Sequence, residues 1–147
     1  LVFSVLNNKV DCAAIGNAPK HEKLVVIPIV KEELIMVTPL DSEHDPVLLV
    51  RDEGCGYRKH ALIWQQKAGR DHDELMVMSS ADGVLGCIAA GLGYTIIGKN
   101  MVTGSYEKSL VMTPVSHGPK HVQLSIVYRK GSLLEAGILT LAKLLTK

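Results

Sequence analysis

Apolar and polar positions in this chain form short blocks whose period switches between two and about 3.6, which predicts strands alternating with helices. Leu1 to Asn8 reads as the end of a helix, stopped at Asn7-Asn8. Val10 to Ile15, Leu24 to Ile29 and Glu33 to Val37 are apolar runs of strand length. The last stops at Thr38-Pro39, because proline cannot continue a central strand. Val47 to Val50 predicts a buried strand. Tyr57 to Ala68 has helical spacing and is stopped by Gly69. Glu74 to Met78 predicts a strand, Ala81 to Ala90 a helix behind Ser79-Ser80, and Tyr94 to Ile97 a strand. Lys99 to Val102 predicts one short turn. Leu110 to Val115 and Val122 to Tyr128 are further strands, and Leu133 to Leu145 is an amphipathic helix capped by Ser132.

Apolar strands separated by helices predict an α/β fold with mostly parallel sheets covered on both faces. Two polar breaks, at residues 41–46 and 116–120, bracket a central block. The simplest topology inserts one lobe, residues 41–116, into another built from 1–40 and 117–147. Two small-residue turns feed helices within the inserted block: GCGYR from Gly54 to Arg58, and the start of SSADGVLGCIAAGLGYTIIG at Ser79. A helix start without bulky side chains exposes unpaired N–H donors and the positive end of the helix dipole, which suits a small anion. No acid/base pair or nucleophile relay accompanies these turns. That combination predicts binding without chemical conversion.

Composition narrows the class. The 147 residues are 47% apolar but only 4% aromatic, so aliphatic packing must dominate the core. Lys and Arg number 16 against 15 Asp and Glu, a formal charge of +1. A domain gripping phosphates carries a clear basic excess, so direct DNA binding by this segment is not expected. No apolar run reaches the ~18 residues of a membrane span. Cys12, Cys55 and Cys87 are too few and scattered for a disulfide framework, which favours reduced thiols in a cytoplasmic protein. The first residue is Leu1, not Met, so a fragment or processed product is expected.

The pattern VDCAAIG, ELIMVTP, GCGYR and SSADGVLGCIAAGLGYTII resembles the effector-binding (substrate-binding) domain of LysR-type transcriptional regulators across nearly the whole chain. Ser79 to Ile97 carries the resemblance most specifically. It implies a periplasmic-binding-protein-like fold of two Rossmann-like lobes, with a small effector in the inter-lobe cleft. The implied contacts are Gly16 and Asn17 after the first strand, Thr38 at the hinge, Cys55, Gly56 and Tyr57 at one helix start, and Ser79-Ser80 at the other. The implied partners are a second copy of the chain (dimers, tetramers at full length), with Tyr57 to Ala68 as interface helix, and DNA reached only through an N-terminal winged helix-turn-helix. Against that resemblance, neither this module nor the opening strand-helix-strand is read in the sequence, so an incomplete lobe I is expected. The hydroxyl residue common at the GCGYR turn is also missing, and Cys55 stands in its place. No cofactor and no enzymatic activity are expected.

Each candidate also has a plainer role. Arg58 could hold an effector carboxylate, or brace the turn against Asp52 or Glu53. Cys55 could sense oxidants, but a small residue packed in a tight turn is the simpler account. Tyr57 could aim its hydroxyl at a ligand or serve the helix core. Ser79 and Ser80 could simply cap, and Thr38 could simply end a strand. Asp71-His72-Asp73, and His117 with His121, lack metal-site spacing and read as solvated loops. Gly91-x-Gly93 follows a helix, where a dinucleotide fingerprint precedes one. Trp64 reads as a core or subunit-contact residue. A free-standing solute receptor of the same fold is the alternative function, and a dehydratase or deaminase on this lobe design the third.

Overall fold

The computed structural model describes residues 1–41 and 45–146. Residues 42–44, half of the first polar break, lie outside that range. Contacts divide the chain into two compact units, Leu1–Lys31 with Gln123–Lys147, and Glu32–Val122. The remaining residues of both polar breaks fall within the second.

The first unit contains α1 (Val2–Leu6), β1 (Cys12–Gly16), the first half of β2 (Leu24–Pro39), most of β7 (His121–Arg129) and α4 (Glu135–Leu145). β1 runs antiparallel to β7, from Cys12 opposite Tyr128 to Gly16 opposite Leu124. Side chains alternate across a strand, so this sheet feeds two cores. Ala13 and Val127, directly paired, pack with Val5 of α1. Their neighbours Ile126 and Tyr128 pack with Ile138 and Ala142 of α4. The last helix begins after Leu134, two residues beyond the expected Ser132 cap. Ser132 Oγ instead accepts from Leu134 N at 3.2 Å, closing the turn that leads into the helix.

The second unit holds the rest of β2, then β3 (Val47–Arg51), α2 (Gly56–Lys67), β4 (Glu74–Met78), α3 (Ala81–Ala89), β5 (Thr95–Gly98) and β6 (Leu110–Pro114). Two short 3-10 turns, Lys99–Met101 and Gly104–Tyr106, separate β5 from β6. β3 and β4 are parallel, and Leu48 continues the pattern by a parallel bridge to Tyr94. Ile35, Val37, Leu49, Val84, Leu85 and Ile88 lie at the heart of this unit's core. Gly93 is required there: its φ is +141°, and a Cβ would stand 2.2 Å from the Val47 carbonyl oxygen.

Two expectations change. Leu24 to Ile29 and Glu33 to Val37 are one continuous strand that passes through exposed Pro28. The charged Lys31-Glu32-Glu33 run looks like a break, yet the backbone stays extended and only the face that is covered changes. Val26, Pro28 and Val30 are exposed before the change, and Glu32 and Leu34 are buried after it. The sheets are also not mostly parallel, since β1–β7, β2–β5 and β2–β6 are all antiparallel. A parallel neighbour needs a crossover of a dozen or more residues, usually a helix. The β3-α2-β4-α3-β5 stretch has such helices between successive strands and is the parallel part, whereas the antiparallel pairs join strands that are not consecutive in the chain.

Candidate functional site at two helix starts

β3 and β4 run side by side with Arg51 opposite Met78, so both strands end at one edge of the second unit. The next residues in each case lead into a helix. The turn at Gly54 to Arg58 and the Ser79-Ser80 pair therefore emerge at the same edge, where parallel α/β units usually bind ligands. Arg51 joins the two, its Nη2 donating to the Ser79 carbonyl at 3.3 Å.

The two starts differ in how their donors are met. Ser80 is the N-cap of α3, and its Oγ accepts from Gly83 N at 3.0 Å. Asp82 in the first turn complements the dipole. Cys55 is the N-cap of α2, with φ −74° and ψ 123°, and makes no side-chain cap hydrogen bond. The turn before it uses Gly54 at φ +92°, a conformation that glycine adopts without strain. The first-turn N–H groups of α2 thus have no capping side chain.

Arg58 braces this turn, though not through Asp52 or Glu53 as its sequence neighbours suggest. Its Nη1 donates to the Arg51 carbonyl at 3.0 Å. Arg51 itself stands 3.8 Å from the exposed Asp52 carboxylate. The Tyr57 hydroxyl donates to Glu32 Oε2 at 2.5 Å. Burial, then that hydrogen bond, pushes the Tyr57 phenol well above its usual range, so it keeps its proton. Neither Arg51 nor Glu32 stands out in the sequence. Arg51 looks like the polar end of a strand, and Glu32 like one member of a solvated charge run.

A very small cavity of about 10 Å³ lies behind this first turn, bordered by Arg51, Cys55, Tyr57 and Arg58. That is room for one water molecule at most. A larger open hollow of about 390 Å³ follows α2 and shares Cys55 and Arg58 with the site. Thr38 lies in the same unit on β2, opposite Val111 of β6, but beyond the Val37–Thr95 pair at the start of β5 and so at the opposite end of the sheet from the two helix starts. Gly16 and Asn17 belong to the first unit. There Asn17 adopts φ +50° and exchanges hydrogen bonds with Gln123, N to O at 2.8 Å and Oδ1 from N at 3.3 Å.

The Asp71-His72-Asp73 loop is not fully solvated. The Asp73 carboxylate is completely buried, bound by Arg70 Nε at 2.5 Å and by the Tyr94 hydroxyl at 2.6 Å. The Arg70 guanidinium also lies 4.4 Å from the Tyr94 ring centre. Trp64 meets the same ring edge-on at 5.5 Å, which makes it a core residue. No group of three His, Cys, Asp or Glu able to hold a metal occurs among the described residues. Cys12, Cys55 and Cys87 are all free thiols.

Comparison with known proteins settles the family. The model of the LysR substrate binding domain matches residues 1–147. This chain belongs to that family. Among curated relatives, the LysR domain here is 31% identical over 108 residues to the HTH-type transcriptional regulator SoxR of Arthrobacter sp. (strain TE1826). That match spans 70% of this chain and 37% of the relative. It is 24% identical over 146 residues to the uncharacterized HTH-type transcriptional regulator YusT of Bacillus subtilis (strain 168), spanning 95% of this chain and 50% of that protein. The LysR domain thus spans half the length of these relatives or less. Its fold matches a reduced form of OxyR from N. meningitidis with a TM-score of 0.77 at 16% identity, over 99% of this chain and 76% of that one. An OxyR2 regulatory domain from Vibrio vulnificus gives a TM-score of 0.79 at 14% identity, over 99% and 74%. Both likenesses fix the fold as that of LysR-type regulatory domains. Among the described residues no helix is long and apolar enough to cross a membrane.

Proposed function

We propose that this LysR domain is the effector-sensing part of a bacterial transcription regulator in the cytoplasm, and that it takes a small anionic metabolite and leaves it chemically intact. The reading is carried by the shared edge of β3 and β4. There the uncapped first turn of α2 and the Ser79-Ser80 start of α3 come together, bridged by Arg51 and Arg58. The N–H groups of α2 and the two guanidiniums supply donors and positive potential for a carboxylate, sulfate or phosphate. Cys55, Gly56, Tyr57, Arg58, Ser79 and Ser80 are the proposed contacts in the second unit, and Thr38 is not among them because the strand register puts it at the other end of the sheet. For Gly16 and Asn17 in the first, support comes from the family resemblance alone. Binding would shift the population of domain arrangements and so alter a DNA-binding dimer formed by the longer protein.

The direct test is titration with sulfate and acetate, following backbone amide signals by NMR. Cys55, Gly56, Ser79 and Ser80 should shift together, and Arg58→Ala should weaken binding roughly tenfold, the loss of one charge-assisted hydrogen bond. Ser80→Ala should lower stability by about 1 kcal/mol as a lost cap. Amides that stay put at all concentrations would defeat the assignment.

A further inference from the structure

Glu32 is a buried carboxylate that the anion site does not use. It is only 4% exposed, and among the described residues the Tyr57 hydroxyl is the one hydrogen-bond donor found on it. Among the described residues no lysine, arginine or histidine forms an ion pair with it. The cation adjoining this spot in the chain, Lys99, is taken instead by the exposed Glu33 at 3.1 Å. Burying a charge without a counter-charge is costly, and a neutral phenol offsets only part of that cost. The fold nevertheless makes room for this group. Gly98, opposite Leu34 at the end of β5, leaves open the space that the Glu32 carboxylate fills, since a Cβ there would stand 2.4 Å from it.

Tyr57 links this carboxylate to the first turn of α2. Its single hydroxyl proton is committed to Glu32, so toward any ligand the phenol oxygen offers lone pairs only. One side of the α2 start therefore presents donors: Arg51, Arg58 and the uncapped amides. The acceptors, Tyr57 Oη and the Glu32 carboxylate, lie on the buried side of the same helix start.

We propose that Glu32 is a specificity residue that, with Tyr57, receives the protonated amine of the effector, so that the ligand is an amino-acid-like zwitterion and not a simple anion. This rests on the anion reading of the helix starts, which places the carboxylate end of the same molecule. The missing counter-charge of Glu32 arrives with the ligand.

The test compares acetate, propionate and butyrate with their ω-amino counterparts glycine, β-alanine and 4-aminobutyrate by the same NMR titration. The spacing between amine and carboxylate is thereby scanned. At the best spacing the amino compound should bind roughly tenfold more tightly than its plain acid, the worth of one charge-assisted hydrogen bond. Glu32→Gln should abolish that preference while keeping or improving binding of the plain acid, because a glutamine amide can donate to Tyr57 Oη and free its proton. Tyr57→Phe, which leaves the carboxylate in place, should retain the preference and serves if Glu32→Gln does not fold. If plain acids bind and no amino compound exceeds its partner, the proposal falls and the anion site stands. The same holds if Glu32→Gln or Tyr57→Phe gives the opposite result. If neither series moves the amides at Cys55, Gly56, Ser79 and Ser80, both readings fall together.

Discussion

His60 shows how one side chain in the middle of a helix makes stability depend on pH. It lies on the inner face of α2 and is 6% exposed. Burial, and secondarily the neighbouring Lys59, holds its imidazole below the ordinary value of 6.5. The folded chain therefore favours neutral His60, while the unfolded chain takes up a proton as pH falls through about 6.5. The unfolded state binds more protons in that window, so stability is full above it and declines as pH drops toward the folded value. Urea unfolding at a series of pH values should show this decline, and His60→Gln should flatten it. Other residues at this scale are legible from sequence because they act on their immediate neighbours. Ser80 is recognisable as a cap since its acceptor lies three residues along, on Gly83. Glu32 and Arg51 act on residues 25 and 28 positions away, and nothing local marks them.

The elements of the β3-α2-β4-α3-β5 stretch fall within a residue or so of where periodicity places them, with β4 coinciding at both ends. Each has a strong local stop, such as Gly69 at φ +69° after α2 and Gly91 at φ +89° after α3. What holds α2 against its strands is less visible. Arg70, Asp73 and Tyr94 form a buried network at the far end of α2, and Gln65 Nε2 adds a hydrogen bond to the Asp73 carbonyl at 3.1 Å. Asp73→Asn strips the charge from this group and leaves Arg70 half-buried without its partner. A loss of about 3 kcal/mol in urea unfolding at neutral pH is expected, as for a broken buried ion pair. Tyr94→Phe removes one hydrogen bond to the carboxylate and should cost about 1.5 kcal/mol. Equal effects from the two would contradict the central place given to the carboxylate.

The LysR domain carries a formal charge of +1, which constrains it as a whole molecule. Phosphate binding scales with the number of cations brought to the backbone, and here the two signs nearly cancel. The isolated chain should not retard duplex DNA in a gel at about 150 mM salt, the condition under which nonspecific contacts are weak. Retardation that weakens steeply with added salt would show a basic surface that the sequence sum conceals. DNA control, on the proposed reading, belongs to the remainder of the longer protein.

Local order along the chain was enough to set most strand and helix positions, both small-residue turns and the family. Those depend on periods, caps and glycines within a few residues of one another. Strand direction was decided only in three dimensions, because β1–β7, β2–β5 and β2–β6 pair strands that are not consecutive in the chain, and nothing local to either strand fixes their relative sense. The continuity of β2 was decided there too, since the burial phase changes at Val30-Lys31 and Glu32 is covered under Tyr57, while a linear pattern shows only charge. Whether a carboxylate faces water or a phenol depends on which distant backbone leaves it space, and here that is Gly98.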